Sequence, residues 1–128
     1  MDVIALIGRI LFCLIFLNSA YGHLTRVSTT AQYAASKGVP APKFMVVLTG
    51  LMILLGGLSI LLGVWVKPGA ALLVVFLVPT AFTMHNFWTL TDPMARANDQ
   101  AHFLKDLALA GGSLIFFIYG TGSLSIAP

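Results

Sequence analysis

The chain has 128 residues, 59% of them hydrophobic and 9% charged, with a formal net charge of +3. A mean hydropathy of +0.97 excludes an ordinary soluble domain. The basic residues are scattered and form no stripe that could follow a phosphate backbone, which excludes nucleic acid as a partner. The single cysteine, Cys13, excludes an intrachain disulfide and with it dithiol redox chemistry.

What remains is a protein of the lipid bilayer. Four apolar stretches, roughly residues 3–22, 44–66, 69–90 and 102–120, are long enough or nearly long enough to cross as helices. The expected fold is all-α: a single transmembrane domain, residues 1–128, built as a four-helix bundle with a short surface helix between spans one and two. The opening "MDVIALIG" lacks the positive segment of a secretory leader, so it reads as the start of the first span.

Span one carries Arg9. Its eleven Leu, Ile, Val and Phe residues contribute about −3 to −7 kcal/mol to insertion, against about +3 for an arginine at mid-membrane, so the span inserts regardless. Arg9 either snorkels to the headgroups or lies inside the bundle against an acid, a carbonyl or an anionic ligand. Asn18, nine positions on, falls on the opposite helix face. Cys13 reads as a small packing residue.

The stretch "STTAQYAASKGVPAP" combines capping hydroxyls, an alanine-rich run, Gly38 and Pro40, which predicts a short helix lying on the membrane surface. Span two has no charge. Its Gly56, Ser59 and Gly63 form a small-residue stripe for close helix packing. "VKPGA" is expected to turn the chain, making spans two and three antiparallel neighbours, and Pro79 inside span three frees the carbonyl near Val75 and predicts a kink. Arg26, Lys37, Lys43 and Arg96 fall on one side of the membrane, Lys67 and Arg9 on the other. The positive-inside rule then places both termini outside an inner membrane.

"HNFWTLTDPMARANDQAHFLKD", residues 85 to 106, holds five of the eleven charged residues and two of the three histidines. His85, Trp88 and Asp92 are spaced for one stripe at the end of span three. Thr91 or Asp92 with Pro93 marks a helix start. On a helix running from there, Asn98, His102, Lys105 and Asp106 share an arc of about 100°. An ionisable side chain entering an apolar span costs a few kcal/mol unless it faces protein or water. That predicts a polar pocket at one end of the bundle, with His85, Trp88, Asn98, His102, Lys105, Asp106 and Arg9 as candidates. In the structural alternative Lys105 snorkels, Asp106 bonds neighbouring helices, and His85, His102 and Trp88 are interfacial. Two histidines without a third ligand make no metal site, and no phosphate loop, nucleophile elbow or paired catalytic carboxylates appear.

Taken together, "GRILFCLIFLNSAYGHL", "TAQYAASKGVPAP", "GGLSILLGVWVKPGAALL", "HNFW" and "NDQAHFLKDLALAGGSLI" resemble the DoxX family of small four-span bacterial and archaeal membrane proteins. The likeness covers nearly the whole chain. It implies that Arg9, His85, Trp88, Asn98, Phe103 and Lys105 occupy positions typical of the family. Two departures stand out: "LMILLGG" lacks the acid that many relatives place before the glycine pair, and Asp106 stands where an asparagine is common. The resemblance further implies an accessory or anchoring subunit of a membrane redox or respiratory complex, with protein partners in that complex. No cofactor motif is evident, and quinone is the candidate ligand. The alternatives are a stand-alone quinone-linked oxidoreductase, in which His85 or His102 handles a proton and Lys105 or Arg9 binds an anion, and a small-solute transporter acting as a homo-oligomer.

Overall fold

The computed structural model describes residues 2–121. Its helices are α1 (Asp2–Thr25), α2 (Val27–Ser36), α3 (Pro42–Leu62), α4 (Val66–Met84) and α5 (Pro93–Tyr119), with a single 3-10 turn at Phe87–Thr89. The fold is all-α, and α1, α3, α4 and α5 are long and apolar enough to cross a membrane. Leu, Ile, Val and Phe side chains are exposed along every one of them, as lipid contact requires.

Helix α1 packs on α3, α3 on α4, and α4 on α5. The ring is joined across α1 and α5 by aromatic side chains, with Phe12 5.1 Å from Phe116 between ring centroids. The core runs down the axis through Cys13, Phe16, Ile53, Ile60, Leu73 and Leu77. Cys13 is a buried packing residue, and Asn18 is exposed on the outer face of α1, away from the buried Arg9.

Close approach of α3 and α4 depends on Gly56. A Cβ there would meet Leu73 at 2.8 Å and the Gly69 carbonyl at 2.9 Å. Ser59, one turn on, packs against Gly69 of α4, where a Cβ would meet its side chain, and its hydroxyl is shared between the carbonyls of Val64 (2.5 Å) and Trp65 (2.8 Å). Gly63, the third member of the expected packing stripe, is instead the C-cap of α3 at φ 73, with its own N–H and that of Val64 both donating to the Ser59 carbonyl. A left-handed cap is why glycine stands there. The turn between the spans is therefore residues 63–65, and "VKPGA" already forms the first turn of α4, with Pro68 where its missing N–H costs nothing.

The short second helix also differs from expectation. Rather than resting only on a membrane surface, α2 buries Ala31 and Ala34 against Val46, with Val27, Val39 and Met84 around them, so it closes one end of the bundle. It stops at a Schellman cap in which Gly38 has φ 83 and the Val39 N–H donates to Ala34. Pro79 lies inside α4.

Candidate polar site at the α2 end of the bundle

Helix α5 begins well before its apolar stretch. Asp92 caps it, accepting from the Ala95 N–H at 2.9 Å, and Pro93 occupies the first turn. At 1.5 Å per residue α5 is about 40 Å long, roughly 10 Å more than a hydrocarbon core. Counted back from Tyr119, about 30 Å of hydrocarbon ends near Asp99 and leaves Asp106 about 10 Å inside. Residues 92, 99, 106 and 113 are seven apart and keep to one side of the helix with about 20° of drift per step. Asp106 and Ser113 of that row are buried.

Across from this row, α4 ends at Met84 and the chain leaves the helix at His85. The imidazole lies between two carboxylates of α5, with Nδ1 3.5 Å from Asp99 Oδ1 and Nε2 3.6 Å from Asp106 Oδ2. Both distances are within ion-pair range but longer than an ordinary hydrogen bond. His85 Nδ1 and Asp106 Oδ2 are shut off from solvent, and among the described residues neither closes a hydrogen bond. The His102 ring stacks on His85 at 5.1 Å. Lys105 Nζ lies 3.3 Å from His102 Nδ1 and 4.0 Å from Asp106 Oδ1. An ammonium only donates, so Nδ1 of His102 is the acceptor there.

A third element completes the site. Lys37, at the end of α2, donates to Asp99 Oδ2 at 3.2 Å and to Asn86 Oδ1 at 3.3 Å, which ties the short helix to both α5 and the α4–α5 connection. Beside these groups lies an aromatic cluster: Phe103 meets Phe82, Phe87 and Trp88 at centroid distances of 5.2, 5.5 and 5.6 Å. Arg96 sits over the Phe87 ring.

The structure brings together four of the seven residues singled out from sequence, His85, His102, Lys105 and Asp106, and places Trp88 in the aromatic cluster of Phe82, Phe87 and Phe103. Trp88 arrives by another route than the expected helical stripe, since α4 has ended and the 3-10 turn delivers it. Asn98 is exposed and outside the cluster. The inward residue is its neighbour Asp99, because the helix phases on the seven-residue row instead of the arc through Asn98.

Arg9 is at the other end of the molecule. It is buried, and donates from Nε to the Ile60 carbonyl at 3.1 Å, from one terminal nitrogen to Leu61 at 2.6 Å, and from the other to Thr121 at 3.3 Å. The Ile60 and Leu61 carbonyls belong to the last turn of α3, where helix geometry leaves carbonyls without amide partners, and Thr121 lies just past the C-cap of α5. A cation is also favoured there by the helix dipole. Of the alternatives read in the sequence, Arg9 lies inside the bundle against carbonyls, and it neither snorkels nor joins the polar pocket. Lys37, Asn86, Asp99, Phe82 and Phe87 were not singled out. The repeat of acids at 92, 99 and 106 was the signal for Asp99. Nothing local marks Lys37, whose partners lie 49 and 62 residues away.

No cluster of three or more His, Cys, Asp or Glu residues suited to a metal ion occurs among the described residues. No solved structure matches the chain. Two curated relatives from Escherichia coli strain K12 match almost end to end. Inner membrane protein YphA is 31% identical over 124 residues, covering 97% of this chain and 88% of that protein. Inner membrane protein YqjF is 34% identical over 125 residues, covering 98% and 90%. The DoxX family model matches residues 4–86, from the start of α1 through the end of α4. The chain is therefore a four-span membrane protein that belongs to the DoxX family.

Proposed function

We propose that the chain is a small accessory or anchoring subunit of a membrane redox complex, and that its α2 end contacts the head group of a quinone. The observation that supports the ligand reading is one juxtaposition: a four-ring aromatic cluster at the same end of the bundle as the His102 imidazole, which is exposed, and the Lys105 ammonium. A quinone head is a flat ring with carbonyl oxygens at its edges. Its faces pack on aromatic rings, and its carbonyls take donors. Phe82, Phe87, Trp88 and Phe103 supply rings, and His102 and Lys105 supply donors. The partner enzyme is an expectation drawn from the family resemblance. The orientation proposed is the one that puts Arg26, Lys37, Lys43 and Arg96 in the cytoplasm.

Purification from native membranes in a mild detergent, followed by solvent extraction and chromatography, tests both parts. Quinone should accompany the protein and fall about ten-fold in Trp88→Ala, the loss expected from one aromatic contact. A preparation free of quinone removes the ligand reading. One that contains only this polypeptide removes the subunit reading, and with quinone still bound it favours a stand-alone quinone-linked oxidoreductase. Orientation is read by aqueous thiol labelling in a Cys13→Ala background. Ser36→Cys should label from the cytoplasm and Lys67→Cys from outside, both positions being exposed.

A further inference from the structure

The two carboxylates flanking His85 are not equivalent. Asp99 lies about where the hydrocarbon begins and Asp106 about 10 Å deeper on the same side of α5. Between them stands one ring whose two nitrogens face different acids, Nδ1 toward Asp99 Oδ1 at 3.5 Å and Nε2 toward Asp106 Oδ2 at 3.6 Å. A side chain that only held α4 to α5 would be expected to close at least one of these contacts to hydrogen-bond length. Here both remain a few tenths of an ångström long, and one atom from each contact, His85 Nδ1 in the first and Asp106 Oδ2 in the second, is dry and unpartnered. The other groups around the imidazole limit its movement: His102 stacks on its face, Lys37 holds the outer Asp99, and Lys105 lies beside the inner Asp106.

We infer that Asp99, His85 and Asp106 form a proton path that carries a proton from the aqueous boundary to a carboxylate inside the membrane. In the inward step Asp99, protonated from water, gives its proton to Nδ1 while Nε2 gives its own to the Asp106 carboxylate. An N–H bond forms at Nδ1 and breaks at Nε2, and an O–H bond breaks at Asp99 and forms at Asp106. One proton has moved, no electron has, and return of the proton by the same two bonds resets the tautomer. Lys37 stands beside the outer acid and Lys105 beside the inner one, 3.2 Å from Asp99 Oδ2 and 4.0 Å from Asp106 Oδ1. The path rests on the proposed quinone reading only for its destination, since reducing a quinone consumes protons that must reach the lipid phase.

The test uses the full chain in liposomes, without quinone. After a pH jump, infrared difference spectra should show a carboxylic C=O band that is absent in Asp106→Asn. In His85→Gln, which keeps hydrogen-bonding capacity but cannot relay, the band should rise roughly ten-fold slower or more. Imidazole added to the medium should restore the rate, which a purely structural role for the ring would not allow. Asp99→Asn should slow the band as well, and decides the matter if His85→Gln does not fold. An unchanged rate in the folded variants, or no Asp106 band anywhere from about pH 4 to 9, overturns the path. Loss of quinone binding with the band kinetics intact removes the quinone reading alone.

Discussion

The two ends of the bundle face the same difficulty, a charged side chain inside an apolar fold, and answer it in opposite ways. At the end holding both described termini, Arg9 is matched to backbone carbonyls that helix α3 leaves over once Gly63 and Val64 have both donated to Ser59. The guanidinium fork is filled, and the arrangement is local, dry and finished. At the α2 end, side chains from three helices and a turn meet each other, and two of their buried polar atoms remain open. Buried polar groups are almost always satisfied in folded proteins. Where satisfaction is complete the charge serves the fold, and where it is withheld the site retains capacity for chemistry.

Breaking the finished end should therefore cost the most stability and the least function. Arg9→Ala strands two last-turn carbonyls of α3 in a dry interior, and each stranded group costs about 1–3 kcal/mol. A loss of about 3 kcal/mol or more in detergent unfolding is expected, with Arg9→Lys intermediate because an ammonium cannot span the same carbonyls as a planar fork. The protein that does fold should still bind quinone. If Arg9→Ala unfolds like wild type, the carbonyl cap is not what secures α3.

Next in size is the contact that holds α3 to α4 near the turn that joins them. Gly56→Val introduces side-chain atoms against the Gly69 carbonyl, which is backbone and cannot step aside. Overpacking of this kind costs about 1–3 kcal/mol. Because α3 and α4 would be pushed apart along their length, both ends should feel it, unlike the Arg9 substitution. Unfolding midpoints and Asp106 band kinetics measured together on the one variant check this.

How far each end could be read in the sequence follows from the range of the interactions involved. Four spans, the α5 cap at Asp92 and Pro93, and the short α2 helix all depend on hydropathy or on residues within a few positions, and those signals are present in the chain itself. A carbonyl is among the partners the sequence allows Arg9, but selecting it requires knowing that the antiparallel α3 ends beside it. At the α2 end the arc through Asn98, His102, Lys105 and Asp106 lies one residue away from the inward face, which holds Asp99 instead of Asn98. A seven-residue spacing was the better ruler, because α5 packs along α4 over most of its length. Trp88 was reached for a reason the structure does not share, a helix that ends four residues too soon. Lys37 was beyond reach, since only the packing of Ala31 and Ala34 on Val46 brings α2 over the site.

A smaller effect is expected where α2 is tied down. Lys37→Gln removes the ammonium from Asp99 and Asn86, but the pair is partly exposed and such pairs contribute about 1 kcal/mol or less. Global unfolding should shift little. Amide exchange across α2, residues 27–36, should rise selectively, because few other contacts hold that helix to the site. Uniform protection in the variant would mean that the alanine packing alone keeps α2 in place.

The smallest expected effect separates adjacent residues. Asn98→Ala alters an exposed side chain on the outer edge of α5 and should change stability by less than about 0.5 kcal/mol, leaving the Asp106 band kinetics as they are in wild type. Asp99→Asn, one position on, removes the acid that both Lys37 and His85 face. It should slow the band even if its stability is equally close to wild type. The pair isolates helix phase from composition, since either substitution removes one polar group from the same turn. If Asn98→Ala slowed proton entry and Asp99→Asn did not, the inward face of α5 would be the arc through residue 98, and the row through 92, 99 and 106 would have no part in the site.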